Sequence, residues 1–245
     1  MTHTGRAPGG LPGELSGGLP GGLAGGPFAE LPGRLLGSGR TADVYEIDEA
    51  WVLRRDREGR EDSAVLAAVM THVRRHGYPA PAVRPSGARA DLVMERLDGP
   101  TMLHAFGAGA LDAEEAGAVL ARLLRELHAL PGRLSADARM LHLDLHPDNV
   151  ILTPDGPRVI DWANAEEGRP GLDWGMSAVI LAQVAVSPQP IAGPARAMLT
   201  ALLADPSEEG LAEALRRRAA NPTMSREETQ LLLPAAELIR STAGC

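Results

Sequence analysis

Residues 142–149 read HLDLHPDN, and twelve positions after Asn149 comes Asp161, in the apolar segment VIDW. Between them stand two short apolar runs, 150–152 and 159–160, separated by the turn residues Pro154, Asp155 and Gly156. That punctuation predicts a two-stranded hairpin whose ends bring Asn149 and Asp161 together. The residue types suit phosphoryl transfer. Asp144 can accept the proton of an attacking hydroxyl, while Asn149 and Asp161 offer hard oxygens to a magnesium ion bridging phosphates.

The flanking sequence predicts two unlike halves. From Arg34 the chain reads as a strand through Leu35 and Leu36, a glycine turn at Gly37, Ser38 and Gly39, then a hairpin with Val44, Tyr45 and Ile47 on one arm and Trp51, Val52 and Leu53 on the other. Apolar side chains at Val65, Leu66, Val69, Met70 and Val73 form a helical stripe, with Ser63 as its cap and Gly77 as its stop. Residues 91–95 read as a further strand, and 97–100 as a hinge. Beyond it Asp112 and Glu115 open a helix running to about Leu130, and helices are expected over 176–186, 195–204, 208–219 and 226–240. Ser207 would cap the third of these, and Ser225 with Glu228 the fourth. The order implies an α+β, bilobal chain: a small N-terminal sheet lobe with one helix over 34–97, a mainly helical C-terminal lobe over 98–245, and a ligand cleft between them.

Composition bounds the remainder. The first 33 residues hold eleven of the 28 glycines and five prolines, in near-repeats of LPG and GGL without helical or strand period. Such a tail cannot bury enough surface to offset its ordering entropy, so disorder is expected there. It lacks the charged start and apolar core of a secretion signal. No apolar run approaches the ~20 residues that span a bilayer, so a soluble protein without a membrane partner is expected. The single cysteine, Cys245, excludes an internal disulfide and fits a cytoplasmic location. A net charge of −8 argues against a nucleic-acid partner and leaves room for a cationic substrate. All 24 Lys or Arg positions are arginine. Any role that usually falls to lysine is therefore taken by arginine or is missing.

The segments LGSGRTADVYEI, VLRR, VMERLDGPTM, LHLDLHPDNVIL and VIDWANAEEGRPGLDWG together resemble the aminoglycoside phosphotransferases and related small-molecule kinases, over most of residues 34–175. The resemblance implies a protein-kinase-like fold and the cofactors ATP and magnesium (Mg2+). Carried over residue by residue, it makes Asp144 the catalytic base and Asn149 and Asp161 the metal ligands. His142 props the loop, and His146 lies near the phosphates. Gly37, Ser38 and Gly39 form a phosphate loop with Ala42 in the third glycine place, its glycines allowing close approach and unusual torsions. Arg54, ending the third strand, would be the phosphate-clamping cation, on the same strand face as Val52 and opposite to Arg55. Glu95 and Leu97 fall where backbone groups would read adenine. Asp173 would brace the active-site loop, cap a helix ahead of Met176, or do both.

Two departures stand out. The family's helix usually offers the clamp a glutamate, yet the inward positions here are Val65, Leu66 and Val69, so either Glu61 or Asp62 reaches Arg54 or the pair is absent. Only eleven residues separate Asp161 from Asp173, too few for a peptide-docking activation loop, which implies a small-molecule hydroxyl acceptor. Glu166 and Glu167 would suit an amine-bearing alcohol such as an aminosugar or a choline-like compound. The expected function is ATP-dependent transfer of the γ-phosphate to that hydroxyl. The alternative is a catalytically weak or inactive nucleotide-binding regulatory module, suggested by Arg54, the missing helix glutamate and Ala42. The oligomeric state is left open.

Overall fold

The computed structural model describes residues 33–135, 137–204 and 210–243. The expected disordered tail, apart from Gly33, lies outside the described residues, as do Ser207 and Cys245.

The first lobe is an antiparallel sheet backed by one helix. Strands β1 (Leu35–Ser38), β2 (Ala42–Glu46) and β3 (Trp51–Asp56) precede helix α1 (Ser63–Arg75), and β4 (Val83–Arg84) and β5 (Asp91–Glu95) follow it. The sheet order is β1-β2-β3-β5-β4. Arg54 thus sits mid-sheet, opposite Val44 on β2 and Leu92 on β5. Strand β3 runs on past it to Asp56, so Arg54 does not end the strand as expected. Leu66, Val69, Met70 and Val73 of α1 are buried in the core, whereas Val65, expected in the same stripe, is 58% exposed. The cap is Asp62 and not Ser63. The Asp62 carboxylate accepts the N–H groups of Ala64 (3.0 Å) and Val65 (3.4 Å) and lies at the positive end of the helix dipole. Ser63 instead donates its hydroxyl to the carbonyl of Ala88 at 2.8 Å.

The second lobe contains α2 (Met102–Gly107), α3 (Ala113–His128), β6 (Arg139–Leu141), a single 3₁₀ turn at Pro147–Asn149, β7 (Val150–Thr153), β8 (Gly156–Val159), β9 (Glu166–Gly168), α4 (Pro170–Ala185), α5 (Ala192–Leu202), α6 (Leu211–Ala219), α7 (Arg226–Gln230) and α8 (Leu232–Ala243). Asp112 caps α3 by accepting from the N–H of Glu115 at 2.7 Å. Leu120, Leu123, Leu124 and Leu127 are fully buried along its inner face, while Val119 and Leu130 are only partly so. Helix α4 is buried nearly all round, the mark of a central core helix, and begins six residues before the expected start because Pro170 supplies a ready-made first turn. The helix expected over 226–240 is two helices. Pro234 has no N–H to continue the ladder, so the chain stops at Gln230 and restarts at Leu232 with the proline in its first turn. The Ser225–Glu228 capping box opens α7 as expected. Strands β6 and β9 pair in a ribbon that the sequence did not suggest.

The lobes meet at a pinched hinge. Gly99 has φ +147°, and a Cβ there would lie 2.1 Å from the carbonyl oxygen of Leu152, so the hinge passes against β7 closer than any side chain allows. Leu152 N–H donates to Pro100 at 2.9 Å, and Val159 N–H to Pro79 at 2.8 Å, fastening the β7–β8 hairpin to the first lobe and its connection. Among the described residues no helix is long and apolar enough to cross a membrane.

The α3–α5 crossing is similarly tight. A Cβ on Gly117 would meet the Met198 carbonyl oxygen at 2.3 Å and the Ala201 methyl at 2.8 Å. Gly117→Ala should therefore destabilise the fold by about 1–3 kcal/mol despite its better helix propensity, read as a lowered midpoint in chemical denaturation at unchanged slope.

Candidate functional site

The HLDLHPDN loop is shaped by a carboxylate outside it. Asp173, in the first turn of α4 and fully buried, accepts the N–H of His142 (2.8 Å) and of Leu143 (2.7 Å), and bonds His128 Nε2 at 3.0 Å. It is the loop's brace. It is not the cap of a helix starting at Met176, since α4 has already begun at Pro170. These bonds hold Leu143 at φ +63°, a left-handed conformation that a leucine adopts only when its surroundings enforce it. His142 completes the support: its Nδ1 accepts the N–H of Asp144 at 3.3 Å, so Nε2 carries the proton and donates to Ile160 at 3.0 Å. Its ring meets Trp162 edge-on, with centroids 4.8 Å apart. The propping role the resemblance implied for His142 matches these bonds.

Asp144 leaves this scaffold with its side chain about a quarter exposed, 23%. Asn149 is 8% exposed and donates its amide N–H to the Asp144 carbonyl at 2.8 Å, which turns its amide oxygen away, free to act as a ligand. The hairpin does what its turn residues predict. Ile160 N–H donates to Asn149 at 2.9 Å, and Asp161 follows at φ +60°, the second non-glycine residue with positive φ among those described. One amide oxygen and one carboxylate cannot enclose a cation by themselves, and no cluster of three His, Cys, Asp or Glu side chains exists among the described residues. That donor set fits magnesium, which binds through one or two protein oxygens and completes its shell with phosphates and water.

Above the hairpin stands Arg54, 8% exposed. Its guanidinium grips Glu61 with two donors, one at 3.1 Å and one shorter, and reaches Asp161 Oδ1 at 3.2 Å. Burial would lower its pKa, but the hydrogen bond to Glu61 and then the charges of Asp161 and Glu61 outweigh it and raise it. The acidic partner is therefore present, supplied by the loop ahead of α1 and not by the helix. Asp56, at the end of β3, is what places it: its carboxylate accepts the N–H of Glu61 at 2.9 Å and of Glu58 at 3.2 Å. Burial pushes the Asp56 pKa up, and these backbone donors more than reverse the effect.

The glycine turn expected over Gly37, Ser38 and Gly39 begins later: Gly37 and Ser38 are the last residues of β1, paired with Val44 and Asp43, and only Gly39 lies beyond the strand; all three are exposed, with Ala42 buried at the start of β2. Neither glycine has positive φ, so unusual torsions are not what they supply. A Cβ on Gly37 would meet nothing within 4 Å and one on Gly39 only the Ala42 carbonyl at 3.5 Å, so the loop leaves room for a ligand to approach its backbone. Arg57 ties it down, donating to Ser38 Oγ and Asp43 at 2.8 Å each and, by shorter bonds, to the carbonyls of Gly39 and Arg40. At the hinge the Glu95 carboxylate is committed to the N–H of Ala82 (2.9 Å) and to Arg74 (3.6 Å), and its own N–H donates to Ala82. Leu97 lies two residues beyond the end of β5, on the connection to the second lobe.

Several participants escaped the sequence reading. Glu166 is paired with Arg217 at 2.6 Å, and Glu167 accepts the N–H groups of Leu134 (2.8 Å) and Ser135 (3.3 Å), so neither offers a free charge to an acceptor as expected. Arg40, on the glycine turn, crosses the cleft to Glu228 at 2.9 Å. Arg218, Gln183, His128 and Asp56 also belong to the site's surroundings. Only Asp56, ahead of an Arg-Glu-Gly turn, carried a local signal.

Residues 32–141 and 133–214 match the family model described as "Phosphotransferase enzyme family". No curated protein matches the chain. Among solved structures the chain is similar to a choline/ethanolamine kinase family protein from Mesorhizobium loti, with TM-score 0.56, 15% identity, and coverage of 88% of this chain and 92% of that one. Choline kinase LicA from Streptococcus pneumoniae gives 0.53, 13%, 85% and 92%. APH(2'')-IIa, in a ternary complex with streptomycin and ATP, gives 0.51, 17%, 84% and 92%. At these identities the likeness is one of fold.

Asp173→Asn would turn an N–H toward the backbone donors that now meet a carboxylate, and should lower stability by about 2–4 kcal/mol in denaturant titrations. His146 lies 3.9 Å from Asp144, and loss of solvation holds its pKa below 6.5 against the pull of that carboxylate. Below that value the unfolded chain binds a proton that the folded chain refuses. Stability present above pH 6.5 should thus be lost as the pH falls toward the depressed folded value, and His146→Gln should flatten this limb of a thermal-denaturation pH profile.

Proposed function

Because the chain belongs to the phosphotransferase enzyme family, we propose that it transfers the γ-phosphate of ATP to a hydroxyl group of a small molecule. The observation that carries this reading is the convergence of Asp144, Asn149, Asp161 and Arg54 on one cleft, with Asn149 bonded to Asp144 at 2.8 Å and Arg54 to Asp161 at 3.2 Å. A kinase site needs a proton acceptor, two metal-binding oxygens and a phosphate-gripping cation, all facing one another.

The chemistry asked of each residue is modest. Asp144 accepts the hydrogen bond of the acceptor hydroxyl and takes its proton as the new O–P bond forms. The bond between the γ-phosphorus and the bridging oxygen breaks, and ADP leaves with the electron pair. Magnesium, when bound, would neutralise the phosphate oxygens and orient them in line, held by Asn149 and Asp161. Arg54 contributes a fixed positive charge in a desolvated position, where Glu61 keeps it aimed while its contact with Asp161 gives way to phosphate.

The acceptor is a small molecule on this reading. Within the segment from Asp161 to Asp173, residues 166–168 pair with β6 and Glu166 is tied to Arg217 on α6, which supports a short, anchored connection in place of a peptide-docking loop. Two of the structural neighbours carry small hydroxylated compounds, choline and streptomycin, in their descriptions, and these support the size class. The alternative of an inactive regulatory module loses one of its supports, since Arg54 has its glutamate.

The decisive measurement is magnesium-dependent ATP consumption with a panel of small alcohols. Asp144→Asn should lower turnover by about 10²–10⁴-fold with nucleotide binding nearly intact. Asp161→Asn should weaken binding of the magnesium nucleotide itself, as should chelation of the metal. Binding of nucleotide with transfer to no acceptor would favour the regulatory module.

A further inference from the structure

The two nitrogens of the His146 ring face different segments. His146 is the N-terminal cap of the 3₁₀ turn at Pro147–Asn149, and its Nδ1 lies 3.3 Å from the backbone nitrogen of Asp148. A backbone N–H can only donate, so Nδ1 is the bare, accepting nitrogen and the ring proton sits on Nε2. Nε2 in turn lies 3.9 Å from Oδ2 of Asp144. The ring thus turns an N–H toward the carboxylate that receives the acceptor's proton.

Asn149 approaches the same atom. Its amide nitrogen, bonded to the Asp144 carbonyl at 2.8 Å, also stands 3.5 Å from Oδ2. The His146 carbonyl accepts the N–H of Asn149 at 2.9 Å, which makes the two residues parts of one turn. Two N–H donors therefore converge on one carboxylate oxygen, and Oδ1 is the one left to meet a hydroxyl. Position matters at such an atom, where a displacement of about 1 Å can cost about 10²-fold in rate. The 3.9 Å separation is longer than a hydrogen bond, but catalytic hydrogen bonds are commonly long before the substrate binds and tighten in the complex.

On the phosphotransfer reading above, we propose that His146 is a positioning residue with two separable duties. Nδ1 holds the turn that carries Asn149, and Nε2–H fixes Oδ2 of Asp144 so that Oδ1 meets the acceptor hydroxyl. No proton passes to or from the ring: the acceptor's proton goes to Asp144, and His146 keeps its own. A neutral N–H orients the carboxylate without cancelling the charge that draws that proton.

The two duties can be cut apart, because asparagine places its side-chain oxygen near the position of Nδ1, and glutamine its amide nitrogen near that of Nε2. His146→Asn should keep the cap: the thermal midpoint and the Kd for magnesium ATP stay at wild-type values while kcat falls about tenfold or more. His146→Gln should keep most of the turnover and lose the cap, lowering the midpoint by about 2–4 °C and weakening magnesium ATP binding through Asn149. Turnover is read on the full-length protein at saturating magnesium ATP, with the panel alcohol that the wild type phosphorylates fastest. A second measurement needs neither variant of His146. Imidazole nitrogen NMR shifts should place the proton on Nε2, and the Nε2 resonance should move in Asp144→Asn.

The proposal falls if the proton is on Nδ1, or if the Nε2 resonance ignores Asp144→Asn. It falls equally if the asparagine and glutamine variants lose kcat and midpoint in parallel, which would make the ring a prop alone. Should His146→Asn weaken magnesium ATP binding as much as it slows turnover, Nε2 belongs on the phosphates and the assignment to Asp144 is wrong. Absence of magnesium ATP binding in the wild type would sink the phosphotransfer reading itself. Wild-type transfer that His146→Asn matches in rate would leave that reading standing and overturn this one.

Discussion

The site depends on one buried carboxylate. Asp173 is removed from water, and the three groups that approach it, two backbone N–H donors and His128, are what satisfy its oxygens there. The loop is bent to fit that need, with Leu143 forced into a left-handed conformation, and the bend is what aims Asp144 outward. The central helix α4 shapes the loop through this contact: it carries a polar side chain into the core and lets the backbone of another segment answer it. A carboxylate whose oxygens are all occupied in this way is poorly suited to chemistry and well suited to fixing geometry.

The second organising contact is the grip of Arg54 on Glu61 and Asp161. A lysine in the same place would act as a point charge, whereas the guanidinium spans both lobes, with two donors on the first and one on the second. That difference removes the need for an acidic residue on α1. The wider cation reaches a glutamate one turn ahead of the helix, and Asp56 stiffens the intervening turn so that the glutamate is held.

How much of this could be read from the chain follows the range of the interactions concerned. The β7–β8 hairpin, the Asp112 cap, the Ser225–Glu228 box and the stop at Gly77 depend on neighbours within a few residues, and all were legible. The start of α4 is not legible in the chain because Pro170 and Gly171 look like breakers when the tertiary burial of the whole helix is not in view. The break between α7 and α8 is hard to read for the opposite reason, since its one signal, Pro234, stands inside an otherwise helical pattern. Asp144, Asn149 and Asp161 were found by motif. Their surroundings were not: Arg218, beside two other arginines, looks like part of a solvated helix face until Glu213, Glu166 and Gln183 are placed around the three. The commitment of Glu166 and Glu167 was equally invisible, since their partners come from α6 and from the loop after α3.

Arg54 has a chemical consequence beyond geometry. Where a clamp is a lysine, its amine can lose its proton near pH 10 and can be acylated or can form an imine with an aldehyde-bearing nucleotide analogue. A guanidinium held by two carboxylates offers neither handle. The clamp stays charged across any pH at which the fold survives, and reagents that label kinases through the amine of a nucleotide-site lysine find no lysine in this chain, at that position or at any other.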